Sequence, residues 1–72
     1  MTVTEVIKEL LKARGFSQAE LAEALGTTRQ NLSNKLNRDN FTVRDLCAIG
    51  KILGFSLIFK TDEEYVIEYD KK

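Results

Sequence analysis

Two stretches of the chain repeat an arrangement that starts helices in proteins. Residues 16–21 read Phe-Ser-x-x-Glu-Leu, and residues 41–46 read Phe-Thr-x-x-Asp-Leu. In this arrangement the hydroxyl and the carboxylate accept hydrogen bonds from backbone N–H groups at the helix start, while the two apolar residues pack together. Gly15, Gly26 and Gly54 end apolar runs of helical spacing, where glycine readily adopts the left-handed conformation that stops a helix. The sequence up to Gly54 therefore predicts short helices joined by tight turns.

Four helices follow from these boundaries and from the apolar spacing. Thr2 or Thr4 caps the first helix and Thr28 caps the third, in which Leu32 and Leu36 face inward. The predicted helices cover, in chain order, about residues 3–14, 17–24, 28–37, and the segment from the Thr42 cap to Gly54. Turn-forming residues separate the last two helices: Asn37, Arg38, Asp39 and Asn40.

After Gly54 the pattern changes to short β-branched and aromatic runs. Residues 55–59 and 65–69 flank a polar turn at residues 61–64, which predicts a C-terminal β-hairpin. A lone two-stranded hairpin is marginally stable in water, so its apolar side chains must pack on the helices or against another chain. Two roles remain open for four of these side chains, which could close the core of the monomer or form a dimer contact: Leu57, Phe59, Tyr65 and Ile67.

The length of 72 residues predicts one domain, 1–72, with a helical part at 1–54 and the hairpin at 55–69. A chain this short buries only about 60% of its unfolded surface. A second copy would add buried surface, so we expect a homodimer. The fold class is mainly α, a four-helix bundle followed by the hairpin.

The composition excludes several kinds of chemistry. The chain has one cysteine and no histidine, so an internal disulfide, a Cys/His zinc site and a Cys/His nucleophile pair are excluded, and we expect no metal and no cofactor. Cys47 is interpreted as a small hydrophobic residue. No apolar run approaches the roughly 18 residues of a membrane span, and no signal segment opens the chain, which predicts a cytoplasmic protein. Without paired acids or a glycine-rich phosphate loop, we expect no enzyme.

The zero net charge conceals an uneven distribution of charges. Residues 1–60 carry nine basic and six acidic groups, whereas residues 61–72 carry two basic and five acidic groups. No carboxylate lies between Glu23 and Asp39, a window that contains Arg29, Lys35 and Arg38. The five carboxylates near the C-terminus would repel phosphate, so we expect them far from any nucleic acid: Asp62, Glu63, Glu64, Glu68 and Asp70. The basic residues of the first helix are interpreted as solvated: Lys8, Lys12 and Arg14.

The second and third predicted helices have the layout of a helix-turn-helix, with Gly26 in the tight turn. At 100° per residue, the face of the third helix opposite Leu32 and Leu36 is polar. Its residues are Gln30, Asn31, Asn34 and Lys35, with Arg29 in the exposed first turn. Amides can read adenine bidentately and arginine can read guanine, so this face is suited to duplex DNA.

Residues 16–55 resemble the Cro/repressor-type helix-turn-helix family of phage and bacterial transcription regulators. The resemblance lies in SQAELA at residues 17–22 and LGTTRQNLS at residues 25–33. It implies that Arg29, Gln30 and Asn34 contact bases, and that Gln18 contacts phosphate and supports the recognition helix. Thr28 and Asn31 match capping and phosphate positions, and the turn that contains Asn37 and Asn40 usually follows the DNA backbone. Lys35 and Arg38 are added as phosphate contacts because of their charge, and Ser17 is added because it lies at the groove-facing end of the second helix.

Two functions remain open on the sequence. The first is sequence-specific binding of double-stranded DNA by a small repressor-like regulator, with the recognition helix at about residues 28–37 in the major groove. The second is a protein-interaction module, such as an antitoxin or adaptor, that engages a partner through the hairpin. The first depends on the polar face of the third helix, and the second depends on the apolar strands.

Overall fold

The computed structural model describes residues 1–69; Asp70, one of the five C-terminal carboxylates, lies outside this range. Four helices are followed by a two-stranded antiparallel sheet, which confirms the predicted mainly α class with a C-terminal hairpin. The helices are α1 (Val3–Arg14), α2 (Gln18–Leu25), α3 (Arg29–Arg38) and α4 (Val43–Leu53). The strands are β1 (Leu57–Lys60) and β2 (Glu64–Ile67). None of the helices in the described part of the chain is long and apolar enough to cross a membrane.

The helices start where the sequence predicts, because their caps are local. Ser17 and Thr42 each form the expected capping box, with Glu20 and Asp45 respectively. Thr2 caps α1 in a third capping box, with Glu5. Each predicted helix boundary therefore agrees with the structure to within a residue or so.

Thr4, the alternative cap of α1, holds the end of α3 instead. Its backbone N–H donates to Asp39 Oδ1 at 2.8 Å, and its hydroxyl donates to the Leu36 carbonyl at 2.8 Å. Asp39 ends α3 in the left-handed region with φ of 52°, a conformation that aspartate tolerates better than most residues. The start of α1 therefore fixes the turn that leaves α3.

The core lies among the four helices and consists of eight buried hydrophobic residues. They are Ile7, Leu11, Leu21, Ala22, Leu32, Leu36, Ile49 and Leu53. A second layer of half-buried side chains packs around them: Leu10, Phe16, Leu25, Phe41, Leu46, Ile52 and Phe55. Leu32 and Leu36 face inward, as the helical spacing of α3 predicts.

Arg14 is not merely a solvated residue of α1, and that expectation is wrong. Its Nε donates to the backbone carbonyl of Leu53 at 2.7 Å. Leu53 is the last residue of α4, so this guanidinium satisfies a carbonyl that has no partner within its own helix. Arg14 therefore joins the C-terminal ends of α1 and α4.

After α4 the chain packs back against that helix, so the first strand begins two residues later than the sequence predicts. The backbone N–H of Phe55 donates to the Gly50 carbonyl at 3.0 Å, and a Cβ on Gly50 would lie 2.6 Å from the Phe55 carbonyl oxygen. Phe55 packs against the core, and β1 begins only at Leu57. The contact between Gly50 and Phe55 is tertiary, so the local pattern of residues 55–59 could not reveal it.

The hairpin is only partly covered by the helices. Its register pairs Leu57 with Ile67 and Phe59 with Tyr65. Leu57 and Ile67 are half-buried, and the Cys47 thiol of α4 lies 3.8 Å from the Ile67 carbonyl oxygen. Phe59 and Tyr65 are 63% and 55% exposed. The helix-proximal pair thus borders the monomer core, and the distal pair lies outside it.

Candidate nucleic-acid interface

The turn between α2 and α3 sets the position of the candidate recognition helix. Gly26 ends α2 with φ of 75°, and Thr27 N–H donates to the Ala22 carbonyl at 3.0 Å. Two residues later Thr28 caps α3 by accepting a hydrogen bond from the Asn31 N–H at 3.1 Å. Both ends of this short turn are hydrogen-bonded, so α3 is held at one angle to α2.

The outer face of α3 is exposed and free of carboxylates. Leu32 and Leu36 are buried, and Ser33 and Lys35 are half-buried beside them. The remaining residues of the helix are exposed: Arg29, Gln30, Asn31, Asn34, Asn37 and Arg38. No residue between Arg29 and Arg38 is acidic. This face can therefore approach a polyanion without placing an α3 carboxylate against it.

The side chains of Gln30 and Asn34, two predicted base contacts, are hydrogen-bonded to each other. Gln30 Nε2 donates to Asn34 Oδ1 at 3.1 Å across one helical turn. The bond leaves the Gln30 oxygen, one Gln30 N–H and the Asn34 amino group free to bind another molecule. Two adjacent amides are thus held side by side at the centre of the exposed face.

Asn31 is oriented toward the turn and not toward the middle of that face. Its Nδ2 donates to the Thr27 hydroxyl at 3.3 Å. This contact places Asn31 at the edge of α3, beside Thr27 and the Thr28 cap. Its position is suited to a backbone group of DNA, whereas the Gln30 and Asn34 pair projects from the centre.

Lys35 forms an ion pair that the sequence did not reveal. Its Nζ lies 2.8 Å from Asp45 Oδ2, with the two side chains 44% and 26% exposed. Burial alone raises the pKa of Asp45, but hydrogen bonds from Lys35 and Thr42 and the charge of Lys35 lower the pKa below its ordinary value of 3.8. Lys35 is therefore oriented by α4.

The other predicted phosphate contacts lie at the ends of α2 and α3. Ser17 caps α2, and its hydroxyl already accepts the Glu20 N–H at 3.0 Å. Gln18, the first residue of α2, is half-buried. Asn37, Arg38 and Asn40 are exposed around the turn that leaves α3. Within residues 1–69, Arg29 and Arg38 form no ion pair, which leaves both guanidinium groups available.

Arg44 is a basic residue at this site that the sequence reasoning missed. It is exposed in the first turn of α4, with its guanidinium 5.6 Å from the centre of the Tyr69 ring. Together with Thr27, Asn31 and Lys35 it lines a groove of about 300 Å³ between α3 and α4. A basic residue four positions after the turn at residues 37–40 was the available signal.

No group of three or more potential metal ligands occurs in the described part of the chain.

The tight turn that joins α2 to the exposed, polar α3 gives this four-helix fold the arrangement of a helix-turn-helix domain. A family profile described as "Helix-turn-helix" matches residues 7–59, more than half of the chain. The chain therefore belongs to the Cro/repressor-type helix-turn-helix family.

The chain is also similar to a curated phage protein. It is 38% identical over 56 residues to "Repressor protein CI" of Enterobacteria phage phi80. The match covers 78% of this chain and 24% of the phage protein, so the chain spans about a quarter of that relative's length. No solved structure gives a significant match.

Proposed function

We propose that this chain binds double-stranded DNA sequence-specifically, as a repressor-like transcription regulator with α3 in the major groove. The exposed α3 face carries the proposal, because it bears amides and arginines and no carboxylate. An α-helix fits the major groove, where each base pair presents a distinct pattern of donors and acceptors. The similarity to a phage protein named as a repressor supports the regulatory role.

In this proposal Arg29, Gln30 and Asn34 contact bases. Arg29 lies in the first turn of α3 with a free guanidinium, which can donate twice to guanine. The free oxygen and N–H of Gln30 can bind adenine bidentately, while the bond to Asn34 fixes the direction of that amide. Helical spacing places Asn34 one turn further along the groove.

The phosphate contacts surround these base contacts. The N-terminus of α2, with Ser17 and Gln18, carries the positive end of a helix dipole and points backbone N–H groups outward. The further proposed contacts follow α3 and the turn after it: Thr28, Asn31, Lys35, Asn37, Arg38 and Asn40. These groups would set the register of the protein on DNA without selecting a sequence.

We further propose that the regulator acts as a cytoplasmic homodimer of a single domain, 1–72. Two copies related by a two-fold axis read two half-sites about 34 Å apart on one face of the duplex. The expected operator is accordingly a palindrome.

A selection from a randomised DNA pool at about 0.1 M salt tests this function, because nonspecific attraction to phosphate is already reduced there. The wild type should enrich a palindrome that Arg29→Ala/Gln30→Ala no longer enriches. Lys12→Ala, which removes a charge from the exposed side of α1, is the control and should retain the enrichment. No enrichment by the wild type would refute the proposal.

The exposed hairpin favours a second candidate function. Phe59 and Tyr65 lie outside the core, as a protein-interaction module of the antitoxin or adaptor kind requires. In that case the partner would be another protein, and the wild type and the α3 double variant would behave alike in the DNA selection.

A further inference from the structure

An ion pair bridges the groove between α3 and α4. On one side α3 packs against α2, and on another it borders the groove of about 300 Å³ that Asn31, Lys35 and Arg44 line. Among the described residues that line this groove, Asp45 is the one carboxylate. Its Oδ2 lies 2.8 Å from Lys35 Nζ, and both side chains are partly exposed. The groove beside the proposed recognition helix therefore contains a lysine whose charge is already neutralised.

The bond between Asp45 and Lys35 is additional to the cap of α4. Asp45 Oδ2 also accepts the Thr42 backbone N–H at 3.0 Å, which is the bond that a capping box requires. Glu5 and Glu20 play the same part in the capping boxes of α1 and α2. In the described part of the chain, neither of these two glutamates forms an ion pair. A capping box therefore works without a lysine, and the contact with Lys35 is a separate property of Asp45.

Only one of the three basic residues of α3 has a carboxylate partner. Arg29 and Arg38 form no ion pair within residues 1–69, whereas Lys35 is paired with a residue of another helix. The carboxylate-free sequence of α3 itself therefore does not decide how strongly this helix attracts phosphate. That attraction also depends on the first turn of α4.

A DNA phosphate and the Asp45 carboxylate would compete for the Lys35 ammonium group. Lys35 lies one helical turn beyond Asn31, and both are proposed phosphate contacts. Partly exposed ion pairs are weak, so a phosphate can displace the carboxylate. Displacement leaves the charge of Asp45 unpaired beside the DNA, where it repels phosphate or takes up a cation from solution. Lys35 therefore adds less to DNA affinity than a lysine without an acidic neighbour would add.

We propose that Asp45 limits the DNA affinity of this chain by competing with phosphate for Lys35. The inference rests on the proposed DNA binding and names a residue that sets the strength of that same interface. Because phosphate contacts carry no sequence information, the limit applies to every duplex alike.

Asp45→Asn tests the inference, because the amide keeps an oxygen that can accept the Thr42 N–H and lacks the charge. At about 0.1 M salt its affinity should rise about two- to five-fold on the selected and the scrambled duplex alike, as the strength of a partly exposed ion pair implies. The salt slope should steepen by about 1, because one more phosphate is neutralised without loss of a protein ion pair. Loss of a merely structural contact would lower the affinity instead.

Asp45→Glu is the matched control. It keeps the negative charge and places at this position the residue that the capping boxes of α1 and α2 use. Its affinity and salt slope should equal those of the wild type. Circular dichroism checks that each variant keeps the helical fold.

Lys35→Met distinguishes competition for Lys35 from simple repulsion of DNA by Asp45. In a double-mutant cycle, the gain from Asp45→Asn should be smaller in the Lys35→Met background, because no ammonium group remains to be freed. Equal gains in the two backgrounds, or no gain in the wild-type background, would overturn the inference and leave the proposed function intact. A wild type that binds no duplex would refute both.

Discussion

At the scale of single residues, the side chains of α3 differ in the partners they already have. Gln30 and Asn34 bond to each other, and Lys35 bonds to Asp45. Arg29 and Arg38 form no ion pair within residues 1–69. The two arginines are therefore the strongest free donors, and their positions at opposite ends of the helix assign them different tasks.

Arg29→Ala and Arg38→Ala should weaken DNA binding in different ways. Loss of a bidentate base contact should cost about 1 to 3 kcal/mol on the selected duplex and relax the preference at one base pair. Loss of a phosphate contact should weaken binding to all duplexes alike and reduce the salt slope by about 1. Titrations of the selected and a scrambled duplex at several salt concentrations distinguish these outcomes. Equal losses on both duplexes for both variants would contradict the assignment.

Asp45→Asn should remove an acid-sensitive contribution to stability. Because the pKa of Asp45 is lowered by folding, its ionised form stabilises the protein above the pKa of the unfolded chain, about 4. This contribution is lost as the pH falls through the lower folded value. Urea unfolding should therefore show a larger difference between wild type and variant at pH 7 than at pH 3. Equal differences at both pH values would contradict a stabilising ionised Asp45.

Helical spacing predicted the exposure of Arg29, Gln30, Asn31 and Asn34, but Lys35, which was predicted on the same outer face, is half-buried. The sequence could not predict the pair of Lys35 with Asp45, because these residues meet only through the angle between α3 and α4. The same limit applies to Arg44, which reaches the groove beside Asn31 through that packing.

At the scale of elements, α1 connects the ends of other helices. Arg14 binds the last carbonyl of α4, and Thr4 binds the turn that leaves α3. The helix thus fixes both the end of the recognition helix and the point where the hairpin segment begins. The sequence predicted the helix ends well, because caps and stops are local, and it missed these connections, because they join distant residues.

Arg14→Ala should destabilise the fold more than Lys12→Ala. Both residues are basic and lie in the last turn of α1, so both substitutions remove the same attraction to the helix dipole. Only Arg14 donates to the Leu53 carbonyl, and losing that bond should cost about 1 kcal/mol more. In a domain of this size that corresponds to roughly 4 to 8 °C in Tm. Equal melting temperatures of the two variants would show that the bond contributes nothing.

In the hairpin, the local sequence pattern did not predict where the first strand begins. The alternation of residues 55–59 predicted a strand from Phe55, but Phe55 instead packs on the core beside Gly50. The pairing of Leu57 with Ile67 and Phe59 with Tyr65 is fixed only once both strands are placed. Leu57 and Ile67 are half-buried, whereas Phe59 and Tyr65 are exposed, and a dimer contact through these side chains stays a prediction.

At the scale of the whole molecule, charge is divided between two regions. The helical part carries the basic excess, and the end of the chain carries the acidic excess that cancels it. The turn between β1 and β2 holds Asp62 and Glu63, both exposed. β1 packs against α4, whereas α3 packs against α2, and we expect the acidic turn to lie away from the proposed interface.

Asp62→Asn/Glu63→Gln should therefore change DNA affinity by less than about two-fold at 0.15 M salt, where the screening length is about 8 Å. The amides retain the hydrogen-bond acceptors that Thr61 and Tyr65 use. Anisotropy titrations with Arg38→Ala as the positive control measure the effect. A gain in affinity of five-fold or more would place the acidic turn at the DNA.

The central claim is that the outer face of α3 reads base edges. Side-chain amide signals of isotope-labelled protein, recorded by NMR during titration with the selected duplex and with a scrambled one, test it most directly. The Gln30 and Asn34 amino signals should shift strongly with the selected duplex and weakly with the scrambled duplex. Unchanged Gln30 and Asn34 signals, with shifts confined to the hairpin, would contradict the account.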